Sequence, residues 1–450
     1  MRKKNSVLIK KKITRFRKTI LVESDKSISH RALLIASQCI GPSSLNGILE
    51  SEDVKNTVIC LKKLGVKILK KNKKYIVYGN GLESFKKPHK NLLYAGNSGT
   101  LARMLIGLLA THPNLKVKIF GDNSLNKRDM NRIIKPLSKI GCSFYPKNKR
   151  TLPLTIEGTS LPLAQKHFET IGSAQVKTAI LLAALNTPGI TQVKENKISR
   201  NHTENLLTTI KTDIKITKLK KGNLISLKGQ KNLHAFDYMV SADPSSASFL
   251  IALTLLTPNS KLTIHNVLCN PNRIGFIKVL KEKMGANIKI KNLKKISEEQ
   301  VGSIIVKSSK LKSLNCPKDL IPSLIDELPI LFVVASLTKG VSKFTAINEA
   351  TKKESNRIEE MRKIFSKLGI FCKSTKDAMI INNKNNIKIK NKSVIVRTEG
   401  DHRICMASTI LALATGAKIT IKNFETVNTS FPNFISLIKS IGGKIEIQKK

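Results

Sequence analysis

The chain contains no tryptophan, and aromatic residues make up only 4% of it. A platform of aromatic side chains for stacking bases is therefore not expected. Acidic residues are few, with 30 Asp and Glu against 80 Lys and Arg, for a formal charge of +50. Seven cysteines, Cys39, Cys60, Cys142, Cys269, Cys316, Cys372 and Cys405, are odd in number, scattered and free of any C-x-x-C pair. This speaks against a disulfide framework or a zinc site and for a reducing, cytoplasmic compartment. The eight histidines show no metal-ligand spacing, so no metal is expected. No apolar run reaches the length of a membrane span, and the basic stretch Met1 to Lys18 lacks the apolar core of a secretory signal. No G-x-G-x-x-G follows a strand pattern and no P-loop occurs, which disfavours a dinucleotide-binding fold.

What is present begins with length. At 450 residues the chain exceeds one ordinary core, and two domains are the natural expectation. The positive charge fits three readings: a nucleic-acid binder, an enzyme whose basic cleft steers polyanionic small molecules, or compositional drift. Lys and Asn are spread thinly rather than clustered, including turns such as Asn382 to Asn391, and this spread points to drift as the main source.

A unit of about 75 residues recurs six times. Each copy opens with a helix of small and apolar residues: His30–Ile40, Thr100–Thr111, Ala174–Asn186, Ser245–Leu256, Asp326–Leu337 and His402–Thr415. Apolar residues on nearly every face predict buried helices. A strand, an amphipathic helix and a second strand follow, in Ser44–Ile68, Lys116–Phe144, Ile190–Ile216, Leu262–Ile290, Ser342–Cys372 and Ile419–Ile447. In five copies the second helix closes on Gly65, Gly141, Gly285, Gly369 or Gly442, fitting a left-handed C′ position. The third copy has Thr212-Asp213 there. Six copies of β-α-β-α-β-β, three per domain, make an α/β (α+β) fold.

The informative residues gather where the apolar helices begin: Asp25-Lys26-Ser27-Ile28-Ser29-His30-Arg31, Asn97-Ser98-Gly99-Thr100 with Arg103, Gly172-Ser173-Ala174-Gln175-Val176-Lys177, Asp243-Pro244-Ser245, Asp326-Glu327 and Asp401-His402-Arg403. A helix start offers unpaired N–H groups and the positive end of a dipole, and beside a Lys or Arg it makes an anion site. Taken singly, each such start reads as an ordinary cap. Six in register suit a small substrate with several anionic groups. A second cluster, Lys353-Glu354-Ser355-Asn356-Arg357, opens another helix.

These strings, in this order from about Ile20 to the C-terminus, resemble the signatures of the 5-enolpyruvylshikimate-3-phosphate synthase family. The resemblance implies two similar domains of three repeats, residues 1–24 plus 242–450 and an inserted 25–241, with the active site in the cleft between them. It implies transfer of the enolpyruvyl group of phosphoenolpyruvate to the 5-hydroxyl of shikimate 3-phosphate, with release of phosphate and no cofactor, by a cytoplasmic monomer that has no nucleic-acid or membrane partner. By the same resemblance, Lys26, Ser27, Arg31, Ser173, Ala174, Gln175, Arg200, Asp326 and Lys353 bind shikimate 3-phosphate. Lys26, Gly99, Arg128, Gln175, Arg357 and Arg403 bind phosphoenolpyruvate. Asp326, Glu354, Lys26 and Lys353 are the implied catalytic set.

The chain departs from the family pattern at Glu23-Ser24, where Pro-Gly is common, and at Asp129, where Pro is usual. Thr429 stands where part of the family has Lys, which implies one phosphoenolpyruvate contact fewer. The nearest rival, the related enolpyruvyl transferase acting on a UDP-amino sugar, is disfavoured by Asp25-Lys26-Ser27, by the Lys353 to Arg357 cluster and by Asp401-His402-Arg403.

Overall fold

The structure, a computed structural model, describes residues 5–72, 74–113, 115–383 and 393–449. Most of the expected turn at 382–391 lies outside the described residues. Contacts divide the chain into two units. One comprises Met1–Glu23, Ala242–Lys294 and Gln300–Lys450; the other comprises Ser24–Ser241 and Lys295–Glu299. They are termed here the discontinuous and the inserted unit.

Buried apolar helices form the centre of each unit. In the inserted unit these are Lys26–Ala36, Gly99–Leu109 and Ala174–Ala184. In the discontinuous unit they are Pro244–Leu256, Leu328–Ser336 and His402–Thr415. Ala, Leu and Ile on every face leave no polar side to turn to water, so the helices pack on one another and on sheets. Five of the six starts are set by a capping side chain. Asp25, Ser98, Ser173, Asp243 and Asp401 all accept backbone N–H bonds as N-caps.

Two starts differ from expectation by more than one residue. The first helix begins at Lys26 rather than His30, because Asp25 accepts from Ile28 N at 2.8 Å. Lys26 and Ser27 thereby join its first turn. The fifth begins at Leu328, which leaves Asp326 in the preceding turn.

Around the helices the described residues form six small sheets, five of four strands and one of three. The second copy is self-contained, with Leu92–Tyr94 parallel to Lys116–Phe120 and the remaining pairs antiparallel. Three sheets recruit distant chain. Asp237–Met239 runs parallel to Ile40–Asn46 in the first copy's sheet. Arg17–Ile20 runs parallel to Lys261–Leu268 in the fourth. Asn5–Ile9 is inserted between Ile419–Lys422 and Glu446–Lys449 in the sixth, antiparallel to both. Among the described residues the fifth copy has three strands, and a single bridge from Asn315 to Lys343 stands where the others have a fourth.

The five expected glycines have φ between +72° and +118°, the left-handed conformation that ends a helix without a Cβ penalty. In the third copy, whose helix is His202–Thr209, Lys211 takes that conformation instead, at φ +56°. The fourth copy's second helix is short, Gly275–Lys278 followed by a π-type turn at Val279–Lys283. Among the described residues no helix is long and apolar enough to cross a membrane.

Candidate active-site residues

In the inserted unit the three helix starts carry the predicted residues. Lys26 extends from the first turn of its helix to Asp53 Oδ2 at 2.9 Å, and both side chains are largely shielded. Ser27 accepts from Arg31 Nη1 through its carbonyl at 2.9 Å. Arg31 is buried; its Nε and Nη2 donate to the hydroxyls of Thr203 and Thr178 at 2.8 and 2.9 Å. Burial, followed by the opposing field of Asp25, leaves its pKa at about 10. Arg200 is close enough to depress it further by like charge. His30 is buried with Nδ1 2.6 Å from Thr57 Oγ1. Its pKa falls well below the usual value, through burial first and then the nearby Lys26 and Arg31. The ring is therefore neutral near pH 7 and serves as a bridge between elements.

Gly99 opens the second helix beside two guanidinium groups. A Cβ placed there would lie 3.0 Å from Arg128 Nη1 and 3.1 Å from Arg103 Nη1. The absent side chain thus leaves a space faced by two cations. Arg128 is oriented by Asn97 Oδ1 at 3.0 Å, and Asn97 by Asp122 at 2.7 Å. Arg103 Nη1 donates to Gln175 Oε1 at 2.6 Å, and Gln175 Nε2 to Thr100 Oγ1 at 2.9 Å. Gly99, Arg128 and Gln175 are brought together in this way, with Arg103 as the shared neighbour. Ser173 caps the third helix, which begins at Ala174. Lys177, four residues on, is fully buried between Glu195 at 3.0 Å and Glu204 at 2.6 Å.

In the discontinuous unit the predicted residues form one charged cluster around Arg357. Its Nε donates to Asp401 Oδ2 at 2.8 Å, its Nη2 to Glu354 Oε2 at 2.5 Å, and its Nη1 to Asp326 Oδ1 at 3.4 Å. Lys353 Nζ reaches the same Asp326 oxygen at 3.1 Å. Burial works against the charge on Arg357 but is outweighed by Asp401, Glu354 and Asp326, so its pKa is raised. Asp401 does two jobs. One oxygen caps the His402–Thr415 helix by accepting from Arg403 N at 2.8 Å, while the other holds Arg357 and the Ser355 hydroxyl. Asp326 retains 17% side-chain exposure and Glu354 14%, whereas Arg357 has 1%. Two carboxylates of this cluster therefore keep access to solvent while the cation that organises them is sealed.

Arg403 is different. Its guanidinium makes no side-chain hydrogen bond among the described residues, and its nearest carboxylate oxygen is Glu327 Oε1 at 3.6 Å. Glu327 is held by Arg273 at 3.3 Å, and Arg273 by Asp243 at 2.9 Å. Asp53, Arg103, Arg273 and Glu327 were missing from the predicted set. Arg103 and Glu327 lie inside the quoted strings. Asp53 and Arg273 stand in ordinary helix-start and loop sequence, and only their placement discloses them. Thr429, at the position of the missing Lys, donates to Thr426 O at 2.8 Å and lies 3.3 Å from His402 Nδ1.

Two units thus present arginine, lysine and carboxylate side chains on the starts of buried helices, a set suited to polyanionic substrates and proton transfer. Comparison with known proteins leads to the same chemistry. A family model described as EPSP synthase (3-phosphoshikimate 1-carboxyvinyltransferase) matches residues 10–438. The 3-phosphoshikimate 1-carboxyvinyltransferase of Paramagnetospirillum magneticum is 36% identical over 94% of both chains. That of Endomicrobium trichonymphae is 40% identical over 94% of this chain and 96% of its own. A solved EPSP synthase from Acinetobacter baumannii superposes with a TM-score of 0.84 at 35% identity, over 99% of this chain and all of the other. The enolpyruvyl transferase NikO from Streptomyces tendae, at 12% identity and a TM-score of 0.71, shares the fold. With nearly the whole length matched at this level of identity, the chain belongs to the EPSP synthase (3-phosphoshikimate 1-carboxyvinyltransferase) family.

Proposed function

We propose that the helix-start residues of the two units serve one reaction, transfer of the enolpyruvyl group of phosphoenolpyruvate to the 5-hydroxyl of shikimate 3-phosphate. Lys26, Ser27, Arg31, Ser173, Ala174, Gln175 and Arg200 hold shikimate 3-phosphate, and Asp326 and Lys353 meet its hydroxyls. Lys26, Gly99, Arg128, Gln175, Arg357 and Arg403 receive phosphoenolpyruvate. Asp326 takes the proton of the 5-hydroxyl as the hydroxyl oxygen attacks C2 of phosphoenolpyruvate, with Lys353 Nζ 3.1 Å away holding the carboxylate in place. Glu354 delivers a proton to C3. The tetrahedral adduct, which carries a methyl group at C3, then returns a proton from C3 to Glu354 as the C2–O bond to phosphate breaks, giving the enol ether and phosphate. Lys26 and the arginines stabilise the charge carried by phosphate and carboxylate throughout.

The observation that carries this assignment is the grouping of Asp326, Lys353, Glu354 and Asp401 about the buried Arg357. Two carboxylates of different surroundings on one cation suit the separate roles of base and acid. The seven cysteines are free, and all but Cys372 are buried, which supports a reducing cytoplasmic setting. A monomer is proposed with it, to be checked by light scattering.

Phosphate release from phosphoenolpyruvate should require shikimate 3-phosphate. In the Asp326→Ala variant kcat should fall by about 10²- to 10⁴-fold, the usual contribution of a general base. Release from phosphoenolpyruvate with a UDP-amino sugar in place of shikimate 3-phosphate would instead assign the chain to the sister activity.

A further inference from the structure

Glu327 is almost fully buried, and nothing in its local structure requires a carboxylate there. It is the N-cap of the Leu328–Ser336 helix, yet its side chain makes no capping bond. The carboxylate turns instead toward a buried group drawn from three other places in the discontinuous unit. Arg273 Nη1 lies 3.3 Å from Oε1, Ser245 Oγ contacts the same oxygen, and Arg403 Nη1 lies 3.6 Å from it. Arg273 is fixed in turn by Asp243 at 2.9 Å and by Ser245 Oγ at 2.5 Å. Two carboxylates and two guanidinium groups make the group neutral in sum. Burying a carboxylate is costly unless cations compensate it, so a charge kept here invites a reason beyond stability.

The distances supply that reason. At 3.6 Å, Glu327 attracts Arg403 without taking a hydrogen bond from it, since that separation is too long for one. Arg403 therefore has its charge anchored while its N–H donors remain available. Arg357 presents the contrast: its Nε, Nη1 and Nη2 all donate to carboxylates. Of the two arginines assigned to phosphoenolpyruvate in this unit, only Arg403 retains a full fork of donors for an incoming anion. A planar fork binds a carboxylate or phosphate with two parallel bonds only if its plane is fixed beforehand.

We propose that Glu327, braced by Arg273, is a positioning residue that sets the Arg403 guanidinium for the anionic group of phosphoenolpyruvate. The inference rests on the assignment of Arg403 to phosphoenolpyruvate. The test measures KM for both substrates, kcat and melting temperature in the full-length enzyme for Glu327→Gln, Arg403→Ala and the double variant. Glu327→Gln keeps the shape and removes the charge. It should raise KM for phosphoenolpyruvate by roughly tenfold, within the coupling expected of neighbouring residues, and leave KM for shikimate 3-phosphate unchanged. Arg403→Ala should also raise KM for phosphoenolpyruvate, and adding Glu327→Gln to it should change little further.

If Glu327→Gln leaves KM for phosphoenolpyruvate unchanged while Arg403→Ala raises it, the positioning role is overturned and the assignment of Arg403 stands. Additive effects in the double variant, or equal rises in both KM values that follow a fall in melting temperature, also overturn it, because a structural role would behave in that way. If Arg403→Ala has no effect on KM for phosphoenolpyruvate, the assignment itself fails and the positioning role goes with it. Should Glu327→Gln not fold, Glu327→Asp takes its place. It keeps the charge at shorter reach and should give an intermediate rise in KM for phosphoenolpyruvate; a wild-type value would overturn the proposal.

Discussion

Lys177 and Gly99 show how differently two residues of similar motifs can act. Lys177 belongs to a run that sits at a helix start, where a cation suits an anionic ligand. Its ammonium is instead sealed between Glu195 and Glu204, and Glu195 also accepts from the backbone N–H and hydroxyl of Ser199. Removing one partner from a buried ion group typically costs about 3–5 kcal/mol, because the remaining charges stay desolvated. Lys177→Met should therefore lower the denaturant midpoint sharply. In whatever fraction folds, KM for either substrate should remain near wild type. A large KM change with intact stability would mark Lys177 as a ligand contact instead. At Gly99 the expectation is reversed. A methyl group there would stand 3.0 and 3.1 Å from two guanidinium nitrogens, in space proposed for phosphoenolpyruvate. One carbon changes discrimination in a fitted pocket by about 10- to 200-fold. Gly99→Ala should raise KM for phosphoenolpyruvate within that range, with shikimate 3-phosphate binding and melting temperature little changed. Steady-state kinetics with each substrate varied in turn would decide.

Among the elements, the strand Asn5–Ile9 is the one whose importance local sequence conceals. It lies in a basic stretch whose apolar run, Val7-Leu8-Ile9, is only three residues long. Yet Val7 and Ile9 are buried in the core of the discontinuous unit, and the strand pairs on both sides. Replacing Ile9 with Ala removes a fully buried side chain, a change that costs about 2–5 kcal/mol. Urea unfolding should show this loss, although a residue so near the terminus would ordinarily tolerate change. A shift below about 0.5 kcal/mol, typical of surface sites, would mean the strand is not integral to the sheet. The buried helices, by contrast, were legible at once, because apolar residues on every face and a capping residue are local signals. So were the five glycines, whose backbone conformation ends a helix whatever packs around it. Strand pairing between residues more than 400 apart leaves no such mark. The charged cluster falls between these cases. Lys353, Glu354 and Arg357 could be grouped by helix spacing. Asp326 and Asp401 reach Arg357 across 31 and 44 residues; both stood out as helix-start residues, but neither spacing nor resemblance joined them to Arg357. Arg273 and Glu327 carried neither signal in full, and the geometry alone places Glu327 beside Arg403 and Arg273 against Glu327.

At the scale of the molecule, the formal charge of +50 bears on encounter rather than on fold. Many lysines stand on exposed strands and loops, such as Lys67–Lys71, where they repel one another and draw anions through solvent. Both substrates are multiply anionic. An attractive field of this kind speeds association and weakens as salt shortens its reach, from about 30 Å at 0.01 M to about 8 Å at 0.15 M. The value of kcat/KM for shikimate 3-phosphate should accordingly fall as KCl rises across that range. The rate kcat, measured at saturation, should hold, because the charges around Arg357 and Arg31 are buried and poorly screened. Parallel falls in kcat and kcat/KM would place the salt effect on the chemistry. A flat response in both would mean that the excess lysine has no part in catalysis and records composition alone. Nucleic acid gives the complementary control. A basic surface binds arbitrary DNA weakly and with steep salt dependence. Duplex DNA added at physiological salt should then leave turnover unchanged, since none of the residues assigned to the substrates lies on an exposed lysine-rich strand such as Lys67–Lys71.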